Sequence, residues 1–198
     1  RSIQAYEGTA SATPRPVAKL SQMGLLGIVD SLRSNIAKMS PAQGKSAWSD
    51  YEETRNYSGD DTDVKHQLVR DCLNRIQPKS VWDLGANQCE FSLLAAKNAD
   101  SVVAWEGDSQ CVQRAYEGLN KNSNTRVTPL VADLLNPSPS LGFGNDERKS
   151  MLDRGPADLV FVLALVHHLY LTGGVSYERI AAFLARCAKN ILVEFIPY

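Results

Sequence analysis

The chain has 198 residues, 43% hydrophobic and 22% charged, with a formal net charge of −1. That suits one soluble α/β domain with a small extension, and excludes a globally basic nucleic-acid binder. Cys72, Cys89, Cys111 and Cys187 form no CxxC pair, so neither a disulfide scaffold nor a zinc knuckle is expected, and a reducing, cytoplasmic setting fits. No apolar run is long enough to span a membrane.

The first twenty residues are Ser-, Pro- and Ala-rich and read as irregular. Leu25, Ile28, Val29, Leu32, Ile36 and Met39 then fall on one helical face, stopped by Ser40-Pro41. "SAWSDYEETRNYSGDD" (46–61) is aromatic and polar without a clean period, and reads as loop. Val64, Leu68, Val69, Cys72, Leu73 and Ile76 mark a second amphipathic helix, ended by Pro78.

The rhythm then becomes strand, turn, helix. "SVWDL" is a strand and "EFSLLAAKNA" a helix. "SVVAWE" is a second strand, followed by a helix through "DSQCVQRAYEGLNKN". "RVTPLVAD" is a third strand, followed by a loop with one helix over 134–156. "ADLVFVLALV" reads as a fourth strand at the sheet's centre. Ile180, Phe183, Leu184 and Cys187 mark a helix, and "NILVEFIPY" a fifth strand. Apolar strands separated by helices predict an α/β, doubly wound, mainly parallel sheet. An N-terminal helical and loop extension (1–60) precedes the domain proper (61–198).

In such sheets the ligand lies beyond the carboxyl ends of the strands. Standing there are Asp83-Leu84-Gly85-Ala86-Asn87, then Glu106-Gly107-Asp108, then Asp133-Leu134, and, past the fourth strand, His167-His168. A dinucleotide pyrophosphate wants G-x-G-x-x-G, but Asn87 and Glu90 occupy the second and third glycine positions. A Walker Gly-Lys-Ser/Thr is also missing. S-adenosylmethionine fits better. It has no phosphate, and its sulfonium, amino group, ribose hydroxyls and adenine amine all suit carboxylates.

"VWDLGANQCEFS", "VVAWEGD" and "VADLLN" resemble the first three motifs of the class I S-adenosylmethionine-dependent methyltransferases, over about Val64 to Tyr198. Asp83 and Glu106 are 23 residues apart, close to the roughly 20 between glycine loop and ribose acid in this kind of fold. With "LALVHHL", "VEFIP" and "WSDYEETRNYS", the string is more narrowly similar to bacterial methyltransferases related to a rhizobial nodulation protein.

The resemblance implies a Rossmann-like methyltransferase fold, cut short at its C-terminal end. It implies cofactor contacts from Asp83, Gly85, Ala86, Asn87, Glu106, Gly107, Asp108, Asp133, Leu134 and Ala164. His167 is the candidate catalytic residue on the acceptor side, and no metal is expected. The expected partner is a small-molecule methyl acceptor rather than nucleic acid or membrane. Trp48, Tyr51 and Tyr57 are candidates for a lid across the cofactor or for packing of the N-terminal helix. Cys89 stands where the family usually has glycine, so the turn is expected to sit at negative φ or the pocket to be looser. Two rival readings remain: a methyltransferase-like module without catalysis, and a NAD-dependent oxidoreductase.

Overall fold

The computed structural model describes residues 20–39, 46, 59–122 and 126–196. It divides the chain into two compact units, 1–42 and 43–198. The first contains α1 (Gln22–Lys38), opened by Ser21, whose hydroxyl accepts from the Gly24 amide. None of its residues is buried. Trp48, Tyr51 and Tyr57, and with them the lid expectation, lie outside the described residues.

The second unit is built on five parallel strands in the order β3-β2-β1-β4-β5. They are β1 (Ser80–Leu84), β2 (Ser101–Glu106), β3 (Val127–Val131), β4 (Ala157–Val162) and β5 (Ala188–Val193). β1 and β4 lie adjacent at the centre, and all four of β1's last residues are buried. This is the doubly wound parallel sheet the alternating pattern predicts.

Side-chain alternation assigns the two faces. Val81, Val102, Ala104, Leu159 and Phe161 pack with Val69 and Leu73 of α2 (Gly59–Ile76), Ala95 of α3 (Glu90–Ala95) and Ala115 and Leu119 of α4 (Ser109–Lys121). Trp82, Leu84, Trp105, Val160 and Val162 face the other way. They meet Val166 of α5 (Val166–Leu171) and Ile180, Leu184 and Cys187 of α6 (Tyr177–Cys187).

Several boundaries differ from the sequence reading. α2 begins at Gly59, inside the stretch expected to be loop, and its Val64 and Leu68 stay exposed. α3 stops at Ala95 rather than running on to Ala99. β5 begins at Ala188, directly after α6, and ends at Val193. Residues 134–156 hold two single 3-10 turns, at Phe143–Asn145 and Leu152–Arg154. The largest difference is at β4, which ends at Val162 instead of Val166. Ala164 at φ 52 breaks the strand, and Val166 opens α5. "LALV" is apolar throughout, so strand and helix share one hydrophobic run and composition alone cannot divide them.

Candidate functional site

The carboxyl ends of β1, β2 and β3 converge through backbone bonds. The Gly85 and Ala86 amides both donate to the Trp105 carbonyl, at 2.8 and 3.1 Å, clamping the turn after β1 onto β2. The Ala132 amide donates to the Glu106 carbonyl at 2.8 Å, which brings the end of β3 alongside. Into this frame fall Asp83, Gly85, Ala86, Asn87, Glu106, Gly107, Asp108, Asp133 and Leu134, the residues the sequence singled out.

Glu106 is held from two directions. Its Oε2 accepts from the Asn87 amide at 2.8 Å and its Oε1 from the Asp108 amide at 2.9 Å. Each oxygen keeps lone-pair capacity for a further donor, so the group is a fixed acceptor at the strand end. Asp108 and Asp133 also bond locally. Asp108 caps α4, accepting from the Gln110 amide at 2.9 Å, and Asp133 accepts from the Leu135 amide at 2.9 Å. Burial pushes the Asp108 carboxyl up, but bonds from Ser46 and from the Gln110 and Cys111 amides outweigh it and hold its pKa low.

Asp83 is different. It is only 3% exposed, and its Oδ2 accepts from the Ser92 hydroxyl of α3 at 2.6 Å. Burial raises its pKa from 3.8 to about 6; the Ser92 bond opposes that, and the Glu106 charge adds to it.

The turn after β1 is a run of left-handed residues: Gly85 at φ 74, Asn87 at φ 48 and Cys89 at φ 69. Cys89 therefore corrects the expectation from sequence. The turn keeps the glycine-like conformation in spite of the Cβ, and the side chain is 1% exposed in the core. Non-glycine residues visit this region at a cost of about 1 kcal/mol, which the burial of the side chain offsets. The thiol is no nucleophile, since burial drives its pKa to about 12. Gly85 also has its own reason. A Cβ there would lie 3.1 Å from Leu165 Cδ1, so the space beside it is already occupied by the segment after β4.

His167 and His168 lie on α5, not at a strand end. As neighbours on one helix they lie side by side, with ring centroids 4.0 Å apart. Nδ1 of His167 is buried without a hydrogen-bond partner among the described residues. Burial, then the neighbouring His167, lowers the His168 pKa. Among the described residues no group of three or more His, Cys, Asp or Glu is placed to hold a metal. None of the described helices is long and apolar enough to cross a membrane.

Sequence reasoning missed the residues that α2 and the end of β5 bring to the same edge. Lys65 Nζ lies 2.7 Å from Glu194 Oε2 and 4.9 Å above the Phe91 ring. Its charge reaches Asp83, where it lowers the pKa. His66 Nε2 bonds Glu90 Oε1 at 2.7 Å, tying α2 to the first turn of α3. No motif announces them. The only signal is that Lys65 and His66 lie about one turn before Val69, Cys72 and Leu73, the buried part of the stripe of α2.

The chain is 27% identical over 192 residues to the nodulation protein NoeA of Rhizobium meliloti (strain 1021), covering 96% of this chain and 39% of that protein. Over 109 residues it is 29% identical to a small RNA 2'-O-methyltransferase of Gallus gallus, covering 53% of this chain and 27% of that one. It thus spans well under half the length of either relative. WbdD, a bifunctional kinase-methyltransferase, superposes with a TM-score of 0.51 at 16% identity, over 83% of this chain and 36% of that chain. The fold is that of the class I S-adenosylmethionine-dependent methyltransferases. No family model matches the chain. Within the methyltransferase fold, the edge carrying Asp83, Glu106 and Asp133 is the one where the cofactor motifs were expected from sequence.

Proposed function

We propose that this chain binds S-adenosylmethionine across the carboxyl ends of β1–β3 and transfers its methyl group to a hydroxyl of a small-molecule acceptor. The observation that carries the reading is the Glu106 carboxylate, fixed by the Asn87 and Asp108 amides at the end of β2. When bound, S-adenosylmethionine supplies an electrophilic methyl on a sulfonium.

The chain's own residues bind, orient and exclude. Glu106 accepts from the ribose hydroxyls, and Asp133 from the adenine amine beside the Leu134 amide. Gly107 exposes backbone between them. Gly85, Ala86, Asn87 and Ala164 would hold the amino-acid end. Asp83 meets the cationic amino group, whose charge lowers the pKa of a buried carboxyl. Cofactor affinity should therefore strengthen as pH rises towards about 6, where Asp83 ionises. His167 faces the acceptor and takes the hydroxyl proton on its ring. The His168 ring lies beside it, with centroids 4.0 Å apart, and burial, then the neighbouring His167, lowers the His168 pKa.

The hydroxyl acceptor is supported by the relative named for 2'-O-methylation. A small molecule is favoured over RNA because Asp83, Glu106, Asp108 and Asp133 would repel a phosphate backbone at this edge. A pyrophosphate cofactor is disfavoured for the same reason, and Glu90 sits in the first turn of α3 where its phosphate would lie.

The test is calorimetry with S-adenosylmethionine and S-adenosylhomocysteine, then label transfer from the cofactor to a panel of hydroxylated metabolites. Micromolar binding and a labelled product are expected. No heat at about 1 mM ligand, a ceiling near −4 kcal/mol, would end the reading.

A further inference from the structure

The opposite face of the same sheet holds a cavity of about 550 Å³ that the methyltransferase reading does not use. Its apolar walls are Trp82, Val103, Trp105, Leu130 and Met151. Ser80 and Ser101, which open β1 and β2, lie at its floor, so it extends towards the amino ends of the strands and away from the cofactor edge.

The roof is segment 134–156, and it is a built structure. The Met151 amide donates to the Ser138 carbonyl at 3.1 Å, and Leu141 bridges Arg148. The Ser140 hydroxyl and the Ser150 amide both donate to Asp153 Oδ2.

Arg148 and Arg154 line the cavity, and no Asp or Glu does among the described residues. Arg148 donates through Nη2 to the Ser138 hydroxyl at 3.0 Å. Neither arginine has an ion pair among the described residues. The Trp82 and Trp105 rings meet edge to face at 5.4 Å and 66°, forming an aromatic wall. Trp105 Nε1 has no acceptor among the described residues, but it is shielded from solvent. A ligand would reach it only if the ring turned, so the guanidinium groups are the polar contacts that matter.

We propose that this cavity is a binding site for a small aromatic carboxylate. Its volume is that of a small-ligand pocket. The ring system would lie against the indoles and Met151. The carboxylate would face two planar forks of donors that match it in shape and charge. The site is separate from the cofactor edge but shares Trp105 with it: the side chain lines the cavity, and the carbonyl holds the Gly85 and Ala86 amides.

The experiment titrates the 198-residue chain with 2-naphthoate and with neutral 2-naphthamide, read by tryptophan fluorescence and calorimetry. The wild type should bind the carboxylate at least about tenfold more tightly than the amide, the size expected of a charge-assisted pair. Arg148→Ala/Arg154→Ala should erase that preference while leaving naphthamide affinity and thermal midpoint unchanged, since both arginines are exposed. Glu106→Gln, altered only at the cofactor edge, should bind naphthoate like wild type. The proposal is overturned if naphthoate fails to bind at about 1 mM, if acid and amide bind equally, or if the double arginine variant keeps the preference. A change of more than about tenfold in naphthoate affinity in Glu106→Gln, in either direction, would place the ligand at the cofactor edge and overturn it equally.

Discussion

The two ends of the sheet use the same residue type for opposite purposes. At the amino end, Asp158 accepts from the Lys79 and Ser80 amides and from the Ser80 hydroxyl, while its other oxygen takes Lys189 at 2.8 Å. Lys189, then the Ser80 and Lys79 bonds, hold its pKa down near 2. Every bond there ties β1, β4 and β5 together and closes the end. At the carboxyl end, Asp83 is buried behind one hydroxyl, and Glu106 is fixed by two amides with acceptor capacity to spare. Around them Gly85, Asn87, Cys89 and Ala164 hold left-handed backbone. One end is arranged for stability. The other carries strain and unspent polarity, the usual mark of a binding edge.

The largest effect that would sharpen this contrast is at Gly85. Valine there would need φ near 74 and would press a Cβ to 3.1 Å from Leu165. We expect Gly85→Val to lose cofactor binding by more than about 100-fold and to lower the thermal midpoint as well, because Leu165 must move. Calorimetry with S-adenosylhomocysteine and a melting curve check both. A variant that binds normally would show that the turn does not approach the ligand.

Next comes Glu106→Gln. The new amide places a donor against the Asn87 or Asp108 N–H, so the side chain must swing away from one of them. A loss of about 1.5–3 kcal/mol in cofactor binding is expected, 10- to 100-fold, with little change in folding stability. If affinity holds and the fold suffers instead, Glu106 is a structural clamp like Asp158, and the contrast between the two ends fails.

The two aspartates should also answer pH with opposite signs. Asp83 has a raised pKa, so folding is favoured while it is protonated, and stability falls as pH rises from 3.8 to about 6. The gap corresponds to about 3 kcal/mol. Asp158 has a lowered pKa, so its contribution is present above 3.8 and is lost as pH falls towards about 2. Asp83→Asn should flatten the first slope and make the protein more stable at neutral pH. Asp158→Asn should flatten the second and make it less stable. Urea midpoints across pH 2–7 would read both slopes, and two variants sloping alike would undo the comparison.

Much of this edge was legible in the sequence because its residues stand at fixed offsets from strand ends. Asp83, Gly85, Glu106 and Asp133 follow short apolar runs, and an alternating strand–helix pattern already says where those runs end. The fold was legible for the same reason: five runs and the helices between them give the parallel sheet. What failed was local. "VLALV" hides a strand end, a break at Ala164 and a helix start inside one apolar string, so the helix that carries His167 and His168 was missed. Ser92, Lys65 and Glu194 carry no local signature, because each acts on a residue from a different element. Asp83 acquires its raised pKa only when the folded domain buries it, an effect that the bond from Ser92 on α3 opposes. The arginine-lined cavity was invisible too, since strand residues such as Trp82 and Trp105 meet residues from 134–156 only in space.

The smallest expected effect is at Cys89, and it separates backbone conformation from side-chain packing within one position. At φ 69 and ψ 26 a cysteine pays the left-handed penalty of about 1 kcal/mol, which glycine would relieve. Against that, the side chain is 1% exposed and packs in the α2–α4 core, so removing it leaves a small void. Losing one buried thiol costs on the order of 1 kcal/mol, and glycine gains unfolded-state entropy worth roughly 0.5–1 kcal/mol. The first two contributions nearly cancel, leaving a net destabilisation of about 0.5–1 kcal/mol from the third. The turn already has the glycine conformation, so cofactor affinity in Cys89→Gly should stay within about tenfold of wild type. Urea midpoints and calorimetry on the same preparation measure both quantities. A variant that keeps its stability but loses binding would mean that the thiol itself touches the cofactor, which its burial argues against.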